Sequence, residues 1–177
     1  MAFQKLSLIL LLACVSLISA SAVDKEEELY IIRSAPSGLV LDADDPMQIK
    51  IQHYTGQRSQ LFKFVRGRVA GLFHIVNNDT GSVLDFAKTE ERYTKVVLGD
   101  KEDTLHQQWY LNSNGRIANA EAHYNIDVKD ANYKPGNPVG IWYNNNSPAQ
   151  QFILQKQSKS YGKPSSEDPD NMSSPQN

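Results

Sequence analysis

Short runs of alternating apolar and polar residues recur along the chain from about residue 29 onward. Ile49-Lys50-Ile51 and Phe62-Lys63-Phe64 show the alternation most clearly, and their apolar members are expected to face a core while the lysines face solvent. Gly, Asn, Asp, Ser and Pro residues separate the runs, as turn residues do between strands. No stretch beyond residue 22 keeps a helical period. The pattern predicts twelve strands, at residues 30–33, 39–42, 49–54, 61–65, 72–77, 82–86, 95–98, 108–111, 116–119, 125–128, 139–143 and 151–154.

The strands fall into three similar repeats. The pairs Leu41-Asp42, Leu84-Asp85 and Ile126-Asp127 recur at steps of 43 and 42 residues. A Gln-x-aromatic triplet follows each pair, and the three triplets are Gln60-Leu61-Phe62, Gln107-Gln108-Trp109 and Gln150-Gln151-Phe152. A unit of this size cannot bury its apolar face alone, so three copies are expected to close on each other. We therefore predict an all-β fold, a β-trefoil of three pseudo-repeats with four short strands each, in which six strands form a barrel and six form hairpins that cap one end.

The two ends of the chain differ from the repeats. Lys5 precedes an apolar run at residues 6–18, and Ala20-Ser21-Ala22 has the small residues of a cleavage site. The run is shorter than the roughly 20 residues that a membrane span needs. Residues 1–22 are therefore predicted to be a secretory signal peptide, which makes the protein secreted and extracellular. Residues 158–177 are rich in Ser, Pro, Lys, Asp and Asn and are predicted to form a disordered polar tail, which leaves residues 29–157 as the folded domain.

The composition excludes several classes of protein. The formal net charge is only −2, without the concentrated basic face of a nucleic-acid binder, and no segment after residue 22 predicts membrane insertion. The single cysteine, Cys14, lies inside the predicted signal peptide, so a hydrophobic core and no disulfide must stabilise the mature domain. The four histidines lack metal-ligand spacing, and we expect no metal and no cofactor.

The repeated motifs resemble those of the ricin-type β-trefoil lectin family. The segment from Gln107 to Ile117 is the best single match, with Gln-x-Trp, a turn containing Gly, and an Ile that opens the next strand. The resemblance spans roughly residues 29–155. It implies a carbohydrate-binding protein without catalysis, whose partners are glycans or glycoproteins that carry galactose or N-acetylgalactosamine.

The motif residues are expected to have different physical roles. The aromatic residues of the triplets, Phe62, Trp109 and Phe152, are predicted to fill the centre of the core. The aspartate is the candidate sugar contact because a carboxylate accepts hydrogen bonds from two adjacent hydroxyl groups. In such a site an aromatic ring on the third strand of a repeat lies against the apolar C–H face of the sugar.

Repeat one has the fullest set of candidate sugar contacts. Asp42 matches the aspartate, Gln52 and Tyr54 match the polar and stacking positions, and Gln60 matches the late glutamine. Ser59 stands where the family often has Asn. Asp42 could alternatively be a turn residue that leads into the following acidic stretch.

Repeat three is the second candidate site. Asp127, Trp142 and Gln150 match the aspartate, the stacking ring and the late glutamine. Gly140 replaces the polar residue before the ring, and Ala149 replaces the Asn, so the asparagines at 144–146 are considered as substitutes. Trp142 could alternatively just pack on Tyr143.

Repeat two is predicted to have no functional sugar-binding site. Asp85 is present, but Gly99 falls where the stacking ring is needed, and His106 precedes the glutamine. A lectin fold tolerates the loss of a site because the fold needs only the core residues.

Three Asn-x-Ser/Thr sequons, at Asn78, Asn145 and Asn171, are candidate N-glycosylation sites in a secreted chain. Pro148 follows the second sequon directly and disfavours its glycosylation.

The mature chain has no cysteine nucleophile and no Gly-x-Ser-x-Gly motif, so no enzymatic activity is expected. The alternative function is that of a secreted protein-binding factor or protease inhibitor on the same fold, acting through the loop at 88–94 or at 132–138.

Overall fold

The computed structural model describes residues 28–86 and 93–157, which contain all twelve predicted strands. Their ends differ from the predicted ones by up to two residues. The predicted signal peptide, the polar tail, the Asn171 sequon and most of the loop at 88–94 lie outside the described residues. The strands are β1 (Tyr30–Ser34), β2 (Val40–Asp42), β3 (Lys50–Gln52), β4 (Phe62–Arg66), β5 (Leu72–Asn77), β6 (Val83–Phe86), β7 (Thr94–Gly99), β8 (Trp109–Leu111), β9 (Ile117–Asn119), β10 (Asn125–Val128), β11 (Val139–Trp142) and β12 (Phe152–Lys156).

The first and fourth strands of each repeat form a barrel. Antiparallel pairing runs in the order β12, β1, β4, β5, β8, β9. The longest ladders join β1 to β12 and β4 to β5, with five residue pairs each. The barrel closes beside β9, where the backbone N–H of Phe152 donates to the carbonyl of Gly115 at 2.8 Å. Among the described residues, this bond joins the two ends of the row of six strands.

The second and third strands of each repeat form three hairpins, β2–β3, β6–β7 and β10–β11. The hairpins also bond to one another. β7 pairs with β11, while the N–H of Val139 donates to Ile49 at 2.8 Å and the N–H of Ile49 donates to Val96 at 3.0 Å. Because each hairpin contacts both of the others, the three form a cap around the pseudo-threefold axis. The all-β, β-trefoil prediction is confirmed.

The aromatic residues of the three Gln-x-aromatic triplets lie in the core. Phe62 and Trp109 are 0% exposed and Phe152 is 3% exposed. All three belong to one cluster with the apolar residues of the Leu/Ile-Asp pairs. The indole N–H of Trp109 donates to the carbonyl of Leu84 at 3.1 Å, so the one polar atom of this ring is satisfied inside the core. The predicted core role of these residues is confirmed.

Each repeat makes the same tight turn after its first strand. The turns begin at Ser34, Asn77 and Asn119, and in each the carbonyl of that residue accepts from the N–H four residues later. That fourth residue is Gly38, Gly81 or His123, with φ of 73°, 77° and 55°. Only repeat three therefore places a residue with a Cβ in this left-handed conformation, which L-residues other than Gly adopt at a cost of about 1–2 kcal/mol.

Replacing His123 with glycine is expected to stabilise the fold. The strain that glycine removes exceeds the entropy that it adds to the unfolded chain, so the free energy of unfolding should rise by about 0.5–1 kcal/mol. Urea denaturation followed by far-UV circular dichroism measures this change. His123→Ala is the control, since alanine keeps the Cβ and should give no gain. A loss of stability in His123→Gly would show that the imidazole makes a contact worth more than the strain.

Within residues 28–86 and 93–157, no helix has the length and apolar character that crossing a bilayer requires. The helical elements near the candidate sites are short 3₁₀ turns at Arg58–Gln60, Leu105–Gln107, Lys129–Ala131 and Pro148–Gln150.

Candidate functional site

The late glutamine of each repeat is buried and holds the loop that precedes it. Its amide nitrogen donates to the carbonyl seven residues earlier, and its amide oxygen accepts from the N–H five residues earlier. The two distances are 2.8 and 2.8 Å for Gln60, 2.8 and 2.6 Å for Gln107, and 2.8 and 3.4 Å for Gln150. Gln60 is 1% exposed and Gln150 is 0% exposed. The predicted site residues Gln60 and Gln150 therefore lie behind the surface, where they fix a loop and have no free face for a ligand.

The three aspartates have different surroundings. The carboxylate of Asp42 accepts from the amide of Gln60 at 2.9 Å and from the N–H of Asp44 at 3.2 Å. Asp85 accepts from Gln107 at 3.0 Å and from the N–H of Phe86 at 2.7 Å. Within the described part of the chain, the carboxylate of Asp127 receives no such bond from a backbone N–H. Its oxygens keep more capacity to accept bonds from a ligand than those of the other two aspartates.

Strand pairing corrects the alignment of the stacking position in repeat one. Asp42 lies opposite Lys50, and Asp127 lies opposite Gly140. Two residues further along the third strand come Gln52 in repeat one and Trp142 in repeat three. β3 ends at Gln52, so the position in repeat one that corresponds to Trp142 holds Gln52, and the predicted stacking residue Tyr54 lies beyond the strand.

Other polar side chains around Asp42 in repeat one are engaged with protein partners. The ammonium group of Lys50 pairs with the carboxylate of Asp44 at 2.9 Å beside Asp42. The amide oxygen of Gln52 accepts from the N–H of His53, and the hydroxyl of Tyr54 donates to Gln157 at 3.3 Å. A shallow cavity of about 460 Å³ lies in this repeat, but Thr55–Ser59 and Asp79 line it, and none of the four predicted contacts does. The fold brings Asp42 and Gln60 together and leaves Tyr54 apart from them.

Repeat three has a cavity at its predicted site. Its volume is about 290 Å³, at the lower end of the roughly 300–1,000 Å³ of small-molecule sites. Two predicted residues, Asp127 and Trp142, line it. The other lining residues are Tyr93, Lys129, Asp130, Ala131, Asn145, Ser147 and Ala149.

Tyr93 comes from repeat two, and motif spacing within a repeat could not identify it. Ile141 pairs with Thr94, so the residue before Thr94 lies beside Trp142, and the two ring centroids are 6.3 Å apart. The phenol donates to the backbone carbonyl of Asp127 at 3.0 Å. A Cβ at Gly140 would lie 2.5 Å from the Tyr93 ring. Gly140 therefore makes room for this ring, which takes the space that a polar side chain would otherwise fill.

Burial raises the pKa values of two groups that line the cavity, the Asp127 carboxyl and the Tyr93 phenol. Removal from water raises the pKa of the Asp127 carboxyl above its ordinary value of 3.8; the amide of Gln150 opposes this shift, and the charge of Asp130 adds to it. Burial, together with the charges of Asp127 and Asp130, raises the pKa of the Tyr93 phenol. The phenol therefore stays neutral and able to donate at physiological pH. The ammonium group of Lys129 lies 5.7 Å from the centre of the Tyr93 ring.

Trp142 is half-buried between two other rings. Its centroid lies 5.1 Å from that of Tyr143, with the planes inclined by 39°. The alternative that Trp142 packs on Tyr143 therefore describes a real contact, but Trp142 also lines the cavity.

Repeat two places Gly99 at the position of Trp142, opposite Val83, as predicted. The His106 ring packs against the Phe86 ring, with the ring centroids 4.9 Å apart.

Among the described residues, no group of three or more His, Cys, Asp or Glu side chains is arranged to hold a metal ion. Of the two described sequons, Asn78 is half-buried in the turn after β5, and Asn145 lines the repeat-three cavity.

Comparison with known proteins identifies the family. The model of the ricin-type beta-trefoil lectin domain matches residues 71–167, more than half of the chain. The chain belongs to the ricin-type β-trefoil lectin family. A search of curated protein sequences gives no significant match.

Solved structures share the fold of this family member at low sequence identity. The designed threefold symmetric protein ThreeFoil is 20% identical with a TM-score of 0.66, over 72% of this chain and 97% of ThreeFoil. The ricin B-like lectin of Macrolepiota procera, solved with lactose, is 22% identical with a TM-score of 0.63, over 73% of this chain and 95% of that lectin. The C-terminal half of an earthworm R-type lectin, solved with GalNAc, is 18% identical with a TM-score of 0.57, over 73% of this chain and 99% of that half.

Proposed function

We propose that this protein is a secreted, non-catalytic lectin that binds a terminal galactose or N-acetylgalactosamine residue in the repeat-three cavity. The observation that carries the proposal is that two groups meet at one cavity: the half-buried Trp142 ring, and the Asp127 carboxylate, which accepts no bond from a backbone N–H of the described residues. A pyranose offers hydroxyl groups that donate to a carboxylate and an apolar C–H face that packs on an aromatic ring. The Asp127 carboxylate and the adjacent Trp142 ring match these two features. The sugar class is supported by the ligands in the titles of two structural neighbours, lactose and GalNAc.

Four residues that line the cavity, and the buried Gln150 behind it, have defined roles in this proposal. Asp127 accepts from two adjacent hydroxyls, and Trp142 carries the apolar face of the ring. Asn145 and Ser147 supply polar groups at the wall where the family often has an Asn and this chain has Ala149. Gln150 acts as a positioning residue, because it holds the carbonyl of Tyr143 and the N–H of Asn145.

Repeat one is a weaker candidate for sugar binding. Asp42 has both oxygens engaged, and Lys50 and Asp44 pair next to it. A sugar at Asp42 would have to replace these bonds and would find Gln52 where repeat three offers a ring. We therefore assign Asp42, Gln52, Tyr54 and Gln60 at most a secondary site. Affinity at a single small polar site is expected to be weak, since little apolar area is buried.

Secretion through a signal peptide at residues 1–22 is part of the proposal. We assign the cleavage to the bond after Ala20 or Ala22. Expression in a secretory host followed by N-terminal sequencing of the exported protein tests it, and a first residue other than Ser21 or Val23 would contradict this assignment. We propose that Asn78 is the sequon available for a glycan. A glycan on Asn145 would crowd the cavity, and Pro148 disfavours its attachment.

The test of the function is a glycan array probed with the parent protein, Trp142→Ala and Tyr54→Ala. The parent is expected to bind glycans that end in galactose or N-acetylgalactosamine. Trp142→Ala should lose most of this signal, because stacking on an aromatic ring contributes about 1 kcal/mol or more to such weak binding. Tyr54→Ala is the matched control, because Tyr54 is an exposed ring that lies beyond β3 in repeat one, and this variant should bind like the parent.

Other outcomes are equally informative. Loss of binding in Tyr54→Ala, with Trp142→Ala unaffected, would move the site to repeat one. An empty array with a folded parent would remove the lectin proposal and favour the protein-binding or protease-inhibitor function. The loop at 132–138 would then be examined first, although its backbone is tied to β3 by the N–H of Gly136 and the carbonyl of Ile51 at 2.8 Å.

A further inference from the structure

The aromatic surface of repeat three is larger than the cavity beside it. Tyr93, Trp142 and Tyr143 follow one another with centroid distances of 6.3 and 5.1 Å. Tyr93 and Trp142 line the cavity and are half-buried, while Tyr143 does not line it and is 53% exposed. The row of rings therefore runs from the cavity wall outward to the solvent.

Tyr143 is next to the wall of the cavity through its neighbours in the chain and its contact with Trp142. Trp142 precedes it in the sequence and Asn145 follows two residues later, and both of these residues line the cavity. The carbonyl of Tyr143 accepts from the buried amide of Gln150 at 2.8 Å, so its backbone is fixed relative to Asp127. Among the described residues, none forms a hydrogen bond with its hydroxyl. A large ring is thus held at the edge of the cavity with most of its surface open to solvent.

A fixed, exposed ring next to a small cavity suits a ligand that is larger than the cavity. The cavity volume of about 290 Å³ leaves little room beyond one sugar residue. Tyrosine offers a rigid contact surface and a hydroxyl group with only two rotatable side-chain torsions, so little entropy is lost when a ligand settles on it. The second residue of a glycan has the same apolar C–H faces and hydroxyls as the first.

We infer that the repeat-three site binds at least two consecutive sugar residues, with the terminal residue between Asp127 and Trp142 and the next residue on Tyr143. This inference rests on the proposed function, because it assigns the terminal residue to the same cavity. It adds that the preferred ligand is a di- or oligosaccharide and that Tyr143 determines this preference.

Isothermal titration calorimetry with methyl β-galactopyranoside and with lactose tests the inference, using the full secreted chain. The parent is expected to bind lactose about three- to tenfold more tightly than the monosaccharide. Tyr143→Ala should lose this difference and keep the monosaccharide affinity, while Tyr143→Phe should retain the difference because it keeps the ring. Tyr124→Ala is the control, since Tyr124 is 42% exposed in the same repeat and should affect neither ligand.

Three results would overturn the inference. Equal affinities of the parent for both ligands would show that no second subsite exists. An equal loss for both ligands in Tyr143→Ala would show that the ring only supports Trp142. In both cases the proposed lectin function would stand. Failure of the parent to bind either ligand, or any sugar on the array, would instead overturn the proposed function and the inference with it.

Discussion

Replacing Trp109 with alanine is expected to lower the free energy of unfolding by about 3–5 kcal/mol, a large part of the roughly 5–15 kcal/mol that stabilises a typical domain. Trp109 is 0% exposed at the centre of the one cluster that joins all three repeats. Its removal leaves a cavity that the neighbouring strands cannot fill, because each is held in the closed barrel. The loss of the indole also leaves the carbonyl of Leu84 without its donor.

Urea denaturation followed by far-UV circular dichroism measures this effect without depending on tryptophan fluorescence. Tyr110→Ala is the matched control, because Tyr110 is the next residue of β8 and is 40% exposed, so its replacement should change stability by less than about 0.5 kcal/mol. If Trp109→Ala does not fold, Trp109→Phe provides the measurement. It keeps most of the ring and loses the bond to Leu84, and it should cost about 1–3 kcal/mol. Parent-like stability in both variants would show that the core is not centred on this residue.

Asp127→Asn is expected to weaken sugar binding by about 10- to 100-fold while leaving the fold at least as stable as the parent at neutral pH. The binding loss follows because hydrogen bonds to a charged acceptor contribute about 1.5–3 kcal/mol. The effect on stability has the opposite sign. Burial raises the pKa of Asp127, so the folded state favours the protonated form, and this contribution to stability is lost as the pH rises through the folded pKa. Asparagine removes the buried charge and therefore the penalty.

The pH dependence separates this explanation from a simple change in packing. The stability advantage of Asp127→Asn should be present at neutral pH and should disappear below the ordinary aspartate pKa of 3.8, where the parent carboxyl is protonated in both states. Sugar binding by the parent should weaken as the pH falls through the folded pKa of Asp127, which lies above 3.8. The residual binding of Asp127→Asn should not follow this titration.

Asp85→Asn is the matched control for this pair of measurements. Asp85 occupies the corresponding position in repeat two, but Gly99 lies where Trp142 is in repeat three, so sugar binding should be unchanged. Its carboxylate accepts from the N–H of Phe86 at 2.7 Å, and a neutral amide makes a weaker acceptor, so stability should fall slightly. The assignment of Asp127 to the site would fail if Asp127→Asn bound sugar like the parent, or if both variants lost binding equally.

The sequence alone determined the architecture of this protein. Alternating residues located all twelve strands, and the repeated Leu/Ile-Asp and Gln-x-aromatic motifs gave the threefold fold and its central core residues, Phe62, Trp109 and Phe152. These features could be predicted because strand alternation and the burial of large apolar side chains are local consequences of residue type. Asp127 and Trp142, which the motifs assign to one site, line one cavity, and Gly99 lies in repeat two at the position that Trp142 has in repeat three.

Only the tertiary structure decided which repeat is best equipped as a site. In the strand register, Asp42 lies opposite Lys50, eight residues later, while Asp127 lies opposite Gly140, thirteen residues later. The connection between the second and third strands is therefore shorter in repeat one, and the position that corresponds to Trp142 falls on Gln52 and not on Tyr54. Tyr93 reaches the repeat-three cavity through pairing between β7 and β11, which no spacing within a repeat encodes. The exposure of each aspartate and the burial of Gln60 and Gln150 likewise depend on loops folding against distant strands. Register and contacts between repeats arise from the closure of the whole barrel and its cap, and for that reason they could not be derived from local sequence pattern.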